Sequence, residues 1–408
     1  MPALVQCIGI YYTFGMERFH PLAADRDIAP EELALAQAEC ALALGRLDGL
    51  LSRLAVPEKA LFCAGVLRAT LLSSLAQAGF ADAELRFNAW FAGLDRPPQE
   101  SALTVCSAYA VIRALLGELG HHPWEPLAEA ARTITAAARF SIDGPAHAED
   151  VLGEESGAQE ALTKAADLAQ QAGINDDTAL PFAGLARLNA LLCADPLFAP
   201  VERAVKSFSL GDREVAIEQT APRTPLWAVD TALGRLLSAS GTWARPLPCP
   251  GAVTAEALQP RLWHGERALL AARSLHASAM RLCELVADAR RRAALMGQQL
   301  GHLRSSARAP LVWTFLSAFA PLGLDQIGLA FGVSRRGTYA ISDALVSAGL
   351  AQRKTIKGKV LLVADEPHGD RLSPSLNQAH VIPRATMAEF DAAIADIDRL
   401  LSASSRQH

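Results

Sequence analysis

Apolar residues recur at helical spacing through the first half of the chain. Between Glu31 and Leu54 they fall at Leu33, Leu35, Leu42, Leu44, Leu47, Leu50, Leu51 and Leu54, the three-and-four spacing of an amphipathic helix. Pro57 interrupts it, and Leu61 to Ala78 predicts a second, more apolar helix. After Gly79 a third runs over Asp82–Phe91, and Asp95 to Pro98 reads as a loop. Glu100–Leu119 predicts a fourth, stopped by Gly120 and Pro123, and Pro126–Phe140 a fifth. Ser141 to Gly157 is rich in Gly, Pro and acids and reads as a surface loop, with further helices at Gln159–Gly173 and Pro181–Leu192.

From Phe208 to Pro260 the periodicity fades. Pro222, Pro225, Pro246, Pro248 and Pro250 punctuate this span, which reads as a linker or irregular subdomain. Arg261 to Leu303 then continues without Pro and keeps a helical period. A helix of that length needs a partner along its face, so it predicts a connecting helix with a dimer seam. Its run Arg290, Arg291, Arg292 reads as a solvated face. Beyond Asp365 the chain is rich in Pro and Ser, and Thr386 to Glu389 resembles a capping box opening a last helix to about Leu401.

The span Gly323–Ala364 has the pattern of a winged helix-turn-helix. Leu311–Phe319 supplies a leading helix, Gly323 to Phe331 a short second one, Gly332 a turn, and Arg335–Ala348 a third. Ser334 suits the N-cap of that third helix. Thr338, Ile341 and Leu345 share its inward face, toward Ile327 and Phe331, and Arg335, Arg336, Tyr339, Ser342 and Asp343 its outward one. Two β-prone runs follow, carrying Arg353, Lys354, Lys357 and Lys359, the last two flanking Gly358 in a wing turn. Arg reads guanine edges or grips phosphate, Ser and Tyr serve either role, and wing lysines meet phosphate. The expected DNA-binding set is therefore Ser334, Arg335, Arg336, Tyr339, Ser342, Arg353, Lys354, Lys357 and Lys359.

Charge supports that assignment. The chain carries a formal net charge of −5, but residues 260–364 carry +10 and the remainder −15. A basic module on an acidic body fits a nucleic-acid partner. The seven cysteines (Cys7, Cys40, Cys63, Cys106, Cys193, Cys249 and Cys283) have no metal-ligand spacing and read as reduced core thiols of a cytoplasmic protein. With no run of about 18 uncharged apolar residues, no membrane span is expected. Met1 to Phe14 lacks the basic leader of a signal peptide, and Met16 is a second candidate start.

No enzyme constellation emerges. His121 and His122 read as a helix-ending turn, and Asn175 to Asp177 as a helix start. His264, His276 and His302 share no coordination spacing. Phosphate-loop, nucleophile-elbow and dinucleotide fingerprints are absent, so neither metal nor cofactor is expected, and no small-molecule effector can be named.

Two regions resemble one family. Ala43–Leu50 (ALGRLDGL), Leu67–Ser74 (LRATLLSS), Asp82–Phe87 (DAELRF) continuing to Arg113, and Leu303–Leu311 (LRSSARAPL) continuing through the helix-turn-helix are similar to a rhizobial, often plasmid-borne, helix-turn-helix family with an N-terminal domain of unknown function. The resemblance implies DNA binding, as a transcriptional regulator. The first half is also similar to the N-terminal region of Fic proteins, which transfer nucleotide groups to hydroxyls. Their loop of type HPFxDGNGR has only fragments here, at His122–Glu125 and Asp143–Pro145, and their inhibitory glutamate is replaced at Gln77. The resemblance thus implies lost nucleotide chemistry.

The expectation is a mainly α protein. It has a lead segment (1–30), a helical dimerisation or effector domain (31–207), the Pro-rich span (208–260), the long helix (261–308), the winged helix-turn-helix (309–366) and a tail (367–408). The partners expected are double-stranded DNA and a second copy of the chain. The alternatives are a partition or scaffold protein that uses the winged module for protein contacts, and a catalytically dead Fic-like protein.

Overall fold

A computed structural model describes residues 29–98, 104–140, 148–173, 181–200, 205–210, 213–218, 223–304 and 307–365. Among them the chain is mainly helical, with twelve helices, one isolated hairpin and a small three-stranded sheet near the C-terminal end. The expected final helix and the acidic run at Asn175 lie outside the described residues.

Helices α1 (Pro30–Ser52) and α2 (Val56–Gln77) form the base of the core. Pro30 starts α1 at a position whose N–H has no helical partner, and Glu31 and Glu32 sit in its first turn. The Glu58 carboxylate accepts from the Ala55 N–H at the start of α2. On length and composition α2 could cross a bilayer. Ten of its side chains are buried, and it packs against α3 (Ala83–Phe91), α4 (Ala108–Gly120), α5 (Glu125–Ala137) and later helices. Helix α6 (Ala148–Gly173) takes in most of the expected acidic loop, and α7 (Pro181–Ala194) follows.

The Pro-rich span holds more order than its sequence predicts. Strands β1 (Val205–Leu210) and β2 (Arg213–Glu218) pair antiparallel. Helix α8 (Leu226–Ala239) lies within the core, with Leu226 to Gly234 buried without a break. The chain crosses it so closely that a Cβ on Gly234 would lie 1.8 Å from the Leu247 carbonyl oxygen. Asp230, on the same helix, is 2% exposed, and its carboxylate accepts from the Gly251 and Val253 N–H groups and from Gln77. That one side chain fixes the turn at Pro250–Gly251 onto α8.

The long helix is α9 (His264–Leu300), about 55 Å in length. Its apolar stripe, including Leu269, Leu275, Leu282, Val286 and Leu300, packs on α1 and α2 of its own chain. The stripe expected to form a dimer seam is thus covered intramolecularly. Arg292 pairs with Asp288 and donates to the Ser317 carbonyl, and Arg291 also pairs with Asp288.

The C-terminal part comprises α10 (Ala309–Phe319), β3 (Leu322–Gly323), α11 (Leu324–Phe331), α12 (Arg335–Ser347), β4 (Ala351–Ile356) and β5 (Lys359–Ala364). The sheet runs β3-β5-β4, antiparallel throughout. This part shares its core with the helical body. Phe319 of α10 meets Phe91 at 5.4 Å and Phe87 at 6.3 Å between ring centroids, and Phe140 stacks into the same cluster 4.2 Å from Trp90. Gln326 of α11 is buried and donates through Nε2 to the carbonyls of Phe91 (3.1 Å) and Ala137 (2.9 Å), the last residues of α3 and α5.

Candidate nucleic-acid interface

Helices α11 and α12 are joined by a turn that the sequence dictates. Gly332 takes a left-handed conformation (φ 60°), open to Gly without penalty, and the Val333 N–H returns to the Gly328 carbonyl. Ser334 caps α12, its Oγ accepting from the Gly337 N–H at 3.3 Å, while Thr338 Oγ1 donates to the Ser334 carbonyl at 3.0 Å. The first turn of α12 is thereby held rigidly. Thr338, Ile341, Ser342 and Leu345 are buried beneath it.

Of the nine side chains expected to meet DNA, the structure groups some and redirects others. Arg335 and Arg336 open α12, are exposed and make no ion pair with any described residue. Tyr339, one turn on, is 39% exposed. Ser334 is exposed, with its Oγ committed to the cap. Lys354 projects from β4 as an exposed cation.

Ser342 departs from its expected outward position. It is fully buried, and its Oγ accepts from Arg353 Nε at 2.6 Å. Its spacing of four from Thr338 and three from Leu345 puts it on the inward face. Arg353 is likewise tied down. It reaches from β4 to the Tyr339 carbonyl (3.3 Å) and to the Asp343 carboxylate (2.5 Å), with its guanidinium 5.9 Å from the Tyr339 ring centroid. It staples the hairpin to α12, with the Tyr339 ring on the same helix as Arg335 and Arg336.

The hairpin tip holds the larger correction. Lys357 and Gly358 both have positive φ (51° and 75°), the geometry of a tight two-residue turn between Ile356 and Lys359. The lysines were expected to reach phosphate. Instead Lys357 Nζ donates to the Leu94 carbonyl (2.5 Å) and Lys359 Nζ to the Gly93 carbonyl (3.2 Å), just beyond the end of α3. A helix C-terminus offers unpaired carbonyls and the negative end of the dipole, so it attracts ammonium groups. Leu361 packs below them against Ala92 and Leu94.

Elsewhere the titratable groups serve the fold. Burial pushes the Cys40 thiol up to about 12, and the thiols of Cys63, Cys106, Cys249 and Cys283 also lie above their ordinary value, so none is poised as a nucleophile. Burial draws His122 down to about 4, and its Nδ1 accepts from the Trp124 N–H at 3.1 Å. His121 ends α4, as its sequence predicts. Among the described residues no group of three His, Cys, Asp or Glu is placed to hold a metal ion. No protein-family model and no curated protein matches the chain.

Proposed function

We propose that this chain binds double-stranded DNA as a transcriptional regulator, through a winged helix-turn-helix built from α10, α11, α12 and the β4–β5 hairpin. In this reading α12 enters the major groove by its N-terminal turn, the docking geometry of a recognition helix. The observation that carries it is the pair Arg335 and Arg336, two exposed guanidiniums with no ion pair among the described residues, on the first turn of a capped helix, with Tyr339 one turn on. Guanidinium groups so placed fit bidentate reading of guanine. Lys354, on the neighbouring strand, supplies a phosphate contact. The resemblance to rhizobial helix-turn-helix proteins supports the same reading.

The test is gel retardation of the full chain on duplexes selected from a random pool. Binding is expected at ~50 mM salt, and Arg335→Ala or Arg336→Ala is expected to cost about 1–3 kcal/mol on the selected site and less on random duplex. With Arg335, Arg336 and Lys354 each on a phosphate, log K should fall with log[salt] at a slope of about −2.7 per copy bound. Absence of any retarded band at low salt would overturn the reading. A second reading, a scaffold whose module contacts protein, draws on one observation. The hairpin tip already makes a protein contact, through Lys357 and Lys359 to the end of α3. The same titration separates the two, since a scaffold gives no sequence-selected duplex.

A further inference from the structure

Helix α1 has two apolar faces. The inner one (Ala36, Cys40, Ala43, Leu44, Leu47 and Leu51) is buried, much of it against α9. Beyond Glu31 in the first turn, the opposite face, where a surface helix normally turns charge to water, carries Leu35, Ala38, Leu42, Gly45 and Gly49. At 100° per residue these five fall within about 80° of one another. All are exposed, Leu35 by 61% and Leu42 by 75%. Nothing lies within 4 Å of where a Cβ on Gly45 or Gly49 would stand, so the glycines leave open hollows beside the leucines.

We infer that this outer face of α1 pairs two copies of the chain, antiparallel, about a two-fold axis between Leu42 and Ala43. The charges on one rim select that partner. Glu39 and Arg46 are exposed on the same edge of the stripe, equidistant from the proposed axis. Antiparallel pairing sets Glu39 of each copy against Arg46 of the other. A parallel arrangement would turn the charged rim of each copy toward the opposite rim of the other, where Ala34, Ala41 and Ser52 offer no charge. An isologous contact requires such self-complementarity. In this register Leu42 meets its own counterpart across the axis, and Leu35 falls over the hollow at Gly49.

The size of the patch sets its strength. A helix of 23 residues is about 35 Å long and about 10 Å across, on the order of 350 Å² per copy. That is below a standard interface, so the pairing is a weak and transient one. It moves the dimer seam from α9, where sequence spacing placed it, to α1, and it holds whether or not the chain binds DNA.

Sedimentation velocity on the full chain from about 1 to 100 µM is the test. The expected mass rises with concentration from 43.3 kDa toward twice that value. Leu42→Arg, which puts two unpaired charges at the axis, should weaken association by at least about 100-fold. Glu39→Arg alone and Arg46→Glu alone should each weaken it by about tenfold, because each turns two attractive pairs into repulsive ones. The double reversal of Glu39→Arg with Arg46→Glu should restore it to near the wild-type constant. A constant 43.3 kDa particle at 100 µM, a dimer indifferent to Leu42→Arg, or a double reversal no tighter than the single ones would each overturn the inference.

Discussion

Replacing Gln326 with Ala tests whether the C-terminal part is built into the helical body. The side chain is 1% exposed and makes three hydrogen bonds. Its Nε2 donates to Phe91 and Ala137, and its Oε1 accepts from the Gly323 N–H at 2.8 Å. Truncation orphans these backbone groups unequally. The Phe91 carbonyl keeps a second donor, the Arg139 N–H at 3.2 Å. The Ala137 carbonyl and the Gly323 N–H lose the partner that this side chain gives them. An unsatisfied buried group costs about 1–3 kcal/mol, and a lost bond with a surviving partner about 1 kcal/mol. The sum is about 3–7 kcal/mol, large for one side chain.

Gln326→Glu supplies the control. It keeps an oxygen for the Gly323 N–H but turns a carboxylate toward two carbonyl oxygens. It should be worse than Ala near pH 7 and recover in acid, where a protonated carboxyl can donate. Urea unfolding of the full chain, followed by tryptophan fluorescence, reads both, since Trp90 and Trp313 lie buried in the core that the two parts share. A loss under about 1 kcal/mol for Gln326→Ala, or a Glu variant as stable as wild type at pH 7, would refute the reasoning.

Two further outcomes follow from the same geometry. Lys357→Ala and Lys359→Ala should lower the unfolding free energy by roughly 1 kcal/mol each and leave the salt slope of the proposed DNA binding unchanged, because their ammoniums serve Leu94 and Gly93; a slope reduced by about one per lysine would show them on phosphate. The pH profile of stability should show two opposing contributions. Burial holds Asp230 up to about 7, above its unfolded value near 3.8, so its contribution is full below about 4 and is lost as pH rises through 7. Burial holds His122 down to about 4, below its ordinary 6.5, so its contribution is full above 6.5 and is lost as pH falls through 4. Each amounts to something on the order of 3–4 kcal/mol, so wild type should be nearly flat from about pH 4.5 to 6.5. Asp230→Asn should leave stability rising with pH, His122→Asn should leave it falling, and urea midpoints across that range that match wild type in slope would count against the assignment.

What the sequence disclosed, and what it hid, follows from where the partners lie. The helices α1 to α5 are legible because their apolar positions keep a period and Pro57, Gly79, Gly120 and Pro123 mark their ends. Helix α8 is hidden for the opposite reason. It is buried nearly all round, so no polar face gives it a period, and Pro222 and Pro225 just before it read as part of a linker or irregular subdomain. Ser342 was readable, since its spacing from Thr338 and Leu345 already assigns it to the inner face. Lys357 and Lys359 were not. Their partners are backbone carbonyls more than 260 residues away, and no side-chain pattern announces a carbonyl. The seam assigned to α9 failed by the same kind of distance, because the face that covers it belongs to α1, over 200 residues upstream.

The attachments that the sequence could not show bear on how two copies would address DNA. Helix α12 is held to the body by three independent devices: the aromatic cluster beneath α10, the amide of Gln326 across the ends of α3 and α5, and the hairpin lysines on the carbonyls beyond α3. Helix α1 belongs to the same body through its packing on α9. A tethered reading head would tolerate variable half-site spacing, because a flexible linker absorbs the difference. A head fixed to its dimer seam would not, and half-sites must then match the one separation that the fold imposes. With α1 as the seam and α12 as the reader, inserting about five base pairs between two selected half-sites turns one of them to the opposite side of the duplex. Cooperative binding should then disappear while binding to each single site remains. Cooperativity that survived such an insertion would mean that α12 moves against the body, and that the contacts of Gln326 and the hairpin lysines open when DNA is bound.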